Sequence, residues 1–374
     1  MTTSVLTYDN STSSNTIGQD YADSCSHFEG LANRKQDQKD TIVLAGYGCG
    51  LSVSRDALVC KQGFTHDSES SKTNQAQTLY RGVHGIKSII ILSDSGNISL
   101  DAIRWCSSEH ITVSIIDRDG SLQQTLTPEQ TSNAKLRKQQ YLASDSDKGS
   151  YIAYRLICKK TQAQLDLLEQ ELLPDSARAQ EIFNDSIKWL ELPELPRWSD
   201  LDYMRTFEGR LAKAYFEAIE GAPIKFEKSY AKIVPPHWKS VSTRTSPLSH
   251  NHGARHAANP FHALLNYAYA VIESQVRQAL VASGFDVACG FLHADKLYRD
   301  SLVYDVIELF RSSVDACILK LVQTTAFKKG DFIPVHDGSV RLNQQLARYV
   351  VSLCQIPQAR IEEGVRWLRE LLEK

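Results

Sequence analysis

Hydrophobic and polar positions change their rhythm twice along the chain. Residues 1–40 are rich in Ser, Thr, Asp, Asn and Gln and show no periodicity, which is the composition of a disordered N-terminal extension. From Thr41 short apolar runs alternate with turn residues. TIVLAG, LSVS and ALVCK predict successive antiparallel strands, separated by a Tyr47-Gly48-Cys49-Gly50 turn and a turn at Arg55-Asp56. The polar stretch from Gln62 to Gln77 predicts a long loop. Ile86–Leu92 is strongly β-branched and reads as a buried strand, turned by Asp94-Ser95-Gly96. SLDAIRWCSSEH predicts a short helix capped by Ser99. Ile111–Ile116 is a further strand, and Asp119-Gly120 opens a hairpin into SLQQTL.

After a linker at Pro128–Ser132 the apolar period lengthens to that of helices. Helices are predicted over Asn133–Leu142, Tyr151–Leu172, Ser176–Trp189, Asp202–Ile219, Pro260–Ala282, Ser301–Gln323, Leu342–Cys354 and Ala359–Leu372. Asn259-Pro260 pairs an N-cap with a first-turn proline. Residues 222–258 are irregular and basic. The expected fold is therefore α+β: a β-rich domain over 41–127, followed by a larger all-α-helical domain over 128–374.

Composition adds bounds more than identity. The 374 residues can bury two cores, and a charged fraction of 23% is that of an ordinary globular chain. Lysine and arginine number 42 against 44 acidic residues, a net charge of −2, so any nucleic-acid surface is a local patch on an otherwise neutral molecule. The eight cysteines are scattered without a CxxC pair, as in reduced cytoplasmic proteins. No apolar run approaches a membrane span, so no membrane partner is expected.

Two stretches carry candidate chemistry. In GFLHADKLYRDSLVYDVIELFR, Gly290 to Arg311, His293 precedes a helical segment bearing Asp305 and Glu308 three residues apart, a spacing that places both on one helix face. In Tyr203–Gly221, Met204, Phe207, Leu211, Tyr215 and Ile219 form an apolar stripe that contains Glu208. A carboxylate on a core-facing stripe is costly unless something pairs with it; a metal ion is one such partner, a buried arginine another, and a plain structural glutamate is the alternative. Oxygen ligands with one imidazole suit Mn2+ or Mg2+, common equipment for phosphodiester chemistry.

In this order the motifs resemble a known family. GYGCGLSVSRDALV is similar to the opening hairpin of its β domain; LDAIRWC with ITVSIIDRDG resembles the close of that domain. LRKQQY, FEGRLAKAYF, NPFHALLNYAYAVIE, the His293-to-Arg311 stretch and GSVRLNQQLAR then resemble successive parts of the helical domain. The family is the CRISPR-associated spacer-acquisition integrase, the first Cas protein (Cas one), and the resemblance covers Thr41 to Glu373. It implies Glu208, His293 and Glu308 as ligands of Mn2+ or Mg2+, with Asp305 supporting them. It also implies a DNA integrase and endonuclease acting on double-stranded DNA, prespacer and CRISPR repeat, in the prokaryotic cytoplasm. A homodimer through the β domains and a small companion protein (Cas two) are implied too. Arg205, Arg210, Lys239, Arg244, Arg255, Lys328 and Lys329 are candidate contacts to the DNA backbone. His262 stands where the family often has asparagine, and the loop between His293 and Asp305 looks longer than in compact members.

Competing readings are weaker. His250, His252 and His256 have no helical pattern or nearby cysteine to make a zinc site. The glycines of GYGCG lack a following Lys-Ser/Thr and read as a hairpin turn instead of a phosphate loop. A repair nuclease with the same site, or an inert scaffold subunit, are the alternative functions.

Overall fold

The structure is a computed structural model; it describes residues 40–64, 76–128, 133–171, 181, 184–186, 201–244, 256–293 and 299–373. The extension (1–39), most of the helix expected over Ser176–Trp189, and the residues Arg255, His250 and His252 lie outside the described residues.

Two four-stranded sheets make the first layer. One has the order β1 (Thr41–Ala45), β5 (Ser88–Leu92), β7 (Thr112–Ile116), β8 (Leu122–Leu126). The other has the order β4 (Gln77–Leu79), β3 (Ala57–Lys61), β2 (Cys49–Ser54), β6 (Gly96–Ile98). The expected antiparallel run of the first three strands is half right. β2 and β3 form a hairpin across Arg55 and Asp56, which both adopt positive φ, the geometry of a tight two-residue turn. β1, however, belongs to the other sheet and pairs parallel to β5. The GYGCG stretch is therefore a crossover between sheets, not a hairpin. Its Gly46 packs so close to Gly63 that a Cβ would meet that backbone at 2.7 Å. β4 and β6 are three residues each, too short to show alternation, and their first residues, Gln77 and Gly96, close the expected loop and turn.

The alternation in β5 explains how the layers join. Ile89 and Ile91 face the second sheet and α1 (Leu100–Ser108), with Leu51, Leu58 and Trp105. Ile90 and Leu92 face the helical region. Helix α1 is capped by Ser99, whose side chain accepts from the Ala102 backbone N–H as expected.

The helical region comprises α2 (Ala134–Ser144), α3 (Asp147–Glu171), α4 (Leu201–Ile219), α5 (Lys228–Ala231), α6 (Pro260–Ala282), α7 (Ser301–Ile307), α8 (Arg311–Thr324), α9 (Gln344–Leu353) and α10 (Gln358–Glu373). Helix α6 is its axis, buried on nearly every side. Its start matches the Asn259-Pro260 signal, and Asn259 also donates to the His237 and Ser240 carbonyls, 2.8 Å each. A small hairpin, β9 (Phe332–Pro334) with β10 (Val340–Leu342), interrupts the helices. It takes Leu342 from the helix expected there, which starts at Gln344 after the Asn343 cap.

The predicted helix Ser301–Gln323 is broken. After Ile307 the backbone tightens into i→i+3 bonds, Leu309 N–H to Val306 and Phe310 N–H to Ile307, and the α-helix restarts at Arg311. Neither glycine nor proline marks this break, so the sequence carried no signal for it.

Candidate active site

The site forms where α3, α4, the 290–293 segment and the α7–α8 break meet. Asp305, on α7, is fully buried and saturated with hydrogen bonds. Its Oδ2 accepts from the backbone N–H of Phe291 (2.6 Å) and Leu292 (3.0 Å); its Oδ1 accepts from that of His293 (3.0 Å). The same Oδ1 lies 2.6 Å from His293 Nδ1. An ionised carboxylate only accepts, so Nδ1 must carry the proton, and the lone pair of a neutral ring then sits on Nε2. Gly290 makes this approach possible: a Cβ there would stand 2.8 Å from Ser301 Cβ and 3.0 Å from Asp305 Oδ2. Asp305 is thus a positioning residue for the histidine. The expectation that it projects beside Glu308 as a paired carboxylate is corrected, because its oxygens are taken by the 291–293 segment.

Glu308 occupies the break after α7 and is buried. Its Oε1 pairs with Arg311 Nε at 3.0 Å, and its Oε2 stands 2.7 Å from Lys160 Nζ. That Oε2 is within ion-pair distance yet in no hydrogen-bond geometry, a buried oxygen with spare coordinating capacity. Burial opposes its charge, but Arg311 and then Lys160 more than offset this and hold the carboxyl below the ordinary glutamate range. A protonated His293 would act in the same direction, so the imidazole lies within electrostatic reach of this carboxylate.

Glu208, on α4 and half-buried, pairs with the same Lys160 ammonium. The core-facing carboxylate therefore has a partner that the sequence reading did not point to, a lysine from α3. Lys160 is 6% exposed. Burial disfavours its charge, and Glu308 and Glu208 together outweigh that and keep its pKa raised. Its signal was legible, since it follows the buried Leu156 and Ile157 at four and three residues on a core-facing stripe.

Behind Glu308, Arg311 lies over the Tyr269 ring, 4.8 Å from its centroid. Asp315 accepts from Tyr215 (3.0 Å) and from Tyr269. Burial pushes the Asp315 carboxyl up to about 6, although both tyrosine hydroxyls work against the rise. His262, also buried, sits next to Ser242 O (3.0 Å from Nε2) and its pKa falls to about 4, through burial and then the nearby Arg244 charge.

The expected DNA-facing cations divide. Arg210, Lys239 and Lys329 are exposed and Lys328 is half-buried. Arg205 and Arg244 differ from the surface role expected of them. Arg205 Nε donates to Leu292 O at 2.8 Å, tying the Glu208 helix to the His293 segment. Arg244 donates to Asn266 on α6. His256, one of the three histidines of the weighed zinc reading, pairs with Asp337 at 3.1 Å.

Among the described residues no three His, Cys, Asp or Glu side chains already converge as a coordination shell. The donor chemistry nonetheless fits a hard divalent ion: two carboxylates already share one cation, one buried oxygen has spare capacity, and an imidazole is held with Nε2 as its available lone pair. Glu208, His293 and Glu308 are the residues that would hold it.

The model of the family described as CRISPR associated protein Cas1 matches residues 42–355. A CRISPR-associated protein Cas1 from Methanobrevibacter ruminantium is 31% identical over 248 residues, 65% of this chain and 69% of its own. A CRISPR-associated endonuclease Cas1 from Archaeoglobus fulgidus is 25% identical over 302 residues, 78% of this chain and 80% of its own. Among solved structures, a casposase bound to integration product superposes with a TM-score of 0.70 at 25% identity, covering 89% of this chain and 90% of its own. A CAS1 protein from Thermotoga maritima gives 0.67 at 17% identity, covering 89% and 97%, which speaks for the fold.

Proposed function

Because the chain belongs to the CRISPR-associated Cas1 family, we propose that it is a metal-dependent DNA integrase and endonuclease of CRISPR adaptation. Its substrates are a short double-stranded prespacer and the edge of a CRISPR repeat. The observation that carries this reading is the convergence of Glu208 and Glu308 on one cation, beside a histidine fixed through Nδ1 by Asp305.

The attacking 3′-hydroxyl oxygen forms a bond to phosphorus as the repeat's own P–O3′ bond breaks, so one phosphodiester replaces another and no protein nucleophile is needed. The hydroxyl proton leaves to a base and the departing 3′-oxygen gains one. A bound Mn2+ or Mg2+, held by Glu208, His293 and Glu308, supplies charge stabilisation at the phosphoryl group. The chain's own part is preorganisation. Asp305 fixes the imidazole, Arg205 clamps its segment to α4, and Arg311 keeps Glu308 ionised. Arg210, Lys239, Lys328 and Lys329 are proposed backbone contacts. With water in place of the hydroxyl, the same constellation cuts DNA, which agrees with the naming of several relatives as endonucleases.

The proposed assembly is a homodimer joined by the β domains, with the small second Cas protein as companion. A Cas6-RT-Cas1–Cas2 complex is among the structures of the same fold, TM-score 0.64 at 18% identity. No described helix is long and apolar enough to cross a membrane.

The test is a strand-transfer assay with labelled duplex, a supercoiled repeat plasmid, Mn2+ and the companion protein. Glu208→Gln should lower joined product by at least about 100-fold, in line with loss of a group that stabilises developing charge. Wild-type nicking without joining would leave only the nuclease. Joining that survives both Glu208→Gln and removal of Mn2+ would refute the site.

A further inference from the structure

Lys160 has no place in the ligand set, yet its ammonium stands within contact of two of the three proposed ligands. Three observations single it out. It is 6% exposed, unusual for lysine, which rarely forgoes hydration unless paired. It bridges a carboxylate of α4 and one of the α7–α8 break instead of forming one pair. And Glu308 already has a cation of its own in Arg311, so pairing Glu308 does not by itself call for a second one.

We infer that Lys160 is a placeholder cation: its ammonium holds Glu208 and Glu308 together before a divalent ion arrives and competes with that ion for the same oxygens. The inference rests on the metal-site reading above and deepens it. Without an internal cation, two carboxylates brought together in a buried niche would repel each other, and the α4–α7 approach would loosen. A single positive charge on a flexible four-carbon stem offsets that repulsion and can still swing out, which a rigid guanidinium would do less readily. The consequence is a weaker apparent metal affinity, since each binding event must evict an ammonium, in exchange for a site assembled in advance.

Mn2+ binding, followed by the electron paramagnetic resonance signal of the free ion, tests this without any DNA. Lys160→Met should tighten Mn2+ binding on the order of tenfold, the equivalent of one modest charge–charge competition. It should also lower the melting temperature of the metal-free protein, with recovery at saturating Mn2+. Lys160→Arg keeps the charge and should not tighten binding. Unchanged or weaker Mn2+ binding in Lys160→Met, with its melting temperature intact, overturns the placeholder. Should Lys160→Met fold only with Mn2+, the ion has replaced the ammonium and the inference stands.

A measurement on the wild type covers the case in which the variant does not fold at all. Acetic anhydride labelling of Lys160, read by mass spectrometry, should rise severalfold on adding Mn2+, because eviction exposes the amine. Equal protection with and without Mn2+ overturns the inference. The reading beneath it fails separately: if Glu208→Gln and Glu308→Gln both bind Mn2+ like the wild type, the ion does not sit there, and the placeholder falls with it.

Discussion

Asp305 does its work through four contacts, three backbone N–H groups and one imidazole. Asp305→Asn keeps the size but turns one accepting oxygen into an NH2 donor facing groups that also donate. The expected cost is about 2–4 kcal/mol of stability, with loss of joining activity. Urea unfolding followed by tryptophan fluorescence measures it; a midpoint within error of the wild type would show that the contacts carry no such weight. Sequence reading set this residue beside Glu308 by spacing and, through the resemblance, in a supporting role; it did not reach the contacts with 291–293, because helix periodicity reports a face and not what the neighbouring loop brings to it. Glu208 was recognised as needing a counter-charge. That the counter-charge is Lys160 depends on α3 crossing α4, a contact 48 residues away in sequence that no local pattern encodes.

At the scale of elements, α4, α6 and α8 are tied together behind the site by Tyr215, Tyr269 and Asp315. The folded pKa of Asp315 is about 6, above the ordinary 3.8. Between these values the folded state binds more protons than the unfolded chain. Asp315 therefore contributes most stability below the lower value, and the contribution is lost as pH rises through about 6. Asp315→Asn does not titrate. The stability of the wild type relative to this variant should increase by about 1–3 kcal/mol on going from near-neutral pH to about 4.5. Urea midpoints at the two pH values decide it, and a difference that shrinks on acidification contradicts the burial of this group. His262 titrates equally in both proteins and cancels from the comparison. Long elements such as α6 were legible to the residue because cap, proline and periodicity agree there. The α7–α8 break was not, since its cause is tertiary and its residues, Glu308, Leu309 and Phe310, are ordinary helix formers.

For the molecule as a whole, the division into a β part and a helical part describes the chain but not its cores. Ala45, Ile90, Leu92 and Ile116 from the first sheet belong to the same apolar cluster as the helices. Contacts such as Ser114 with Ser274, and Arg348 with the Val43 carbonyl, reinforce the join. A fragment beginning at residue 133 would expose that face of the helical region. It should be aggregation-prone and lack a cooperative melt. A sharp thermal transition with native near-ultraviolet circular dichroism would show that the helical part folds by itself. The family model stops at residue 355, yet α10 beyond it inserts Ile361, Val365, Leu368 and Leu372 into the common core, so this last helix is integral to the fold of this chain.

A strand with apolar neighbours on both sides has lost the usual safeguard against slipping. Where one face of a strand meets water, a shift by one position is punished at once, because it turns the greasy set outward. In β5 a shift would only exchange Ile89 and Ile91 with Ile90 and Leu92, trading nearly equivalent side chains between two interiors. Its alignment must then be dictated from the ends. Asp40 O accepts from Lys87 and Ser88 at 2.7 and 3.1 Å, Lys87 O accepts from Thr112 at 3.0 Å, and the Ser93 hydroxyl donates to Gly46 O at 2.8 Å. These few polar latches fix the alignment that the isoleucines between them leave weakly specified.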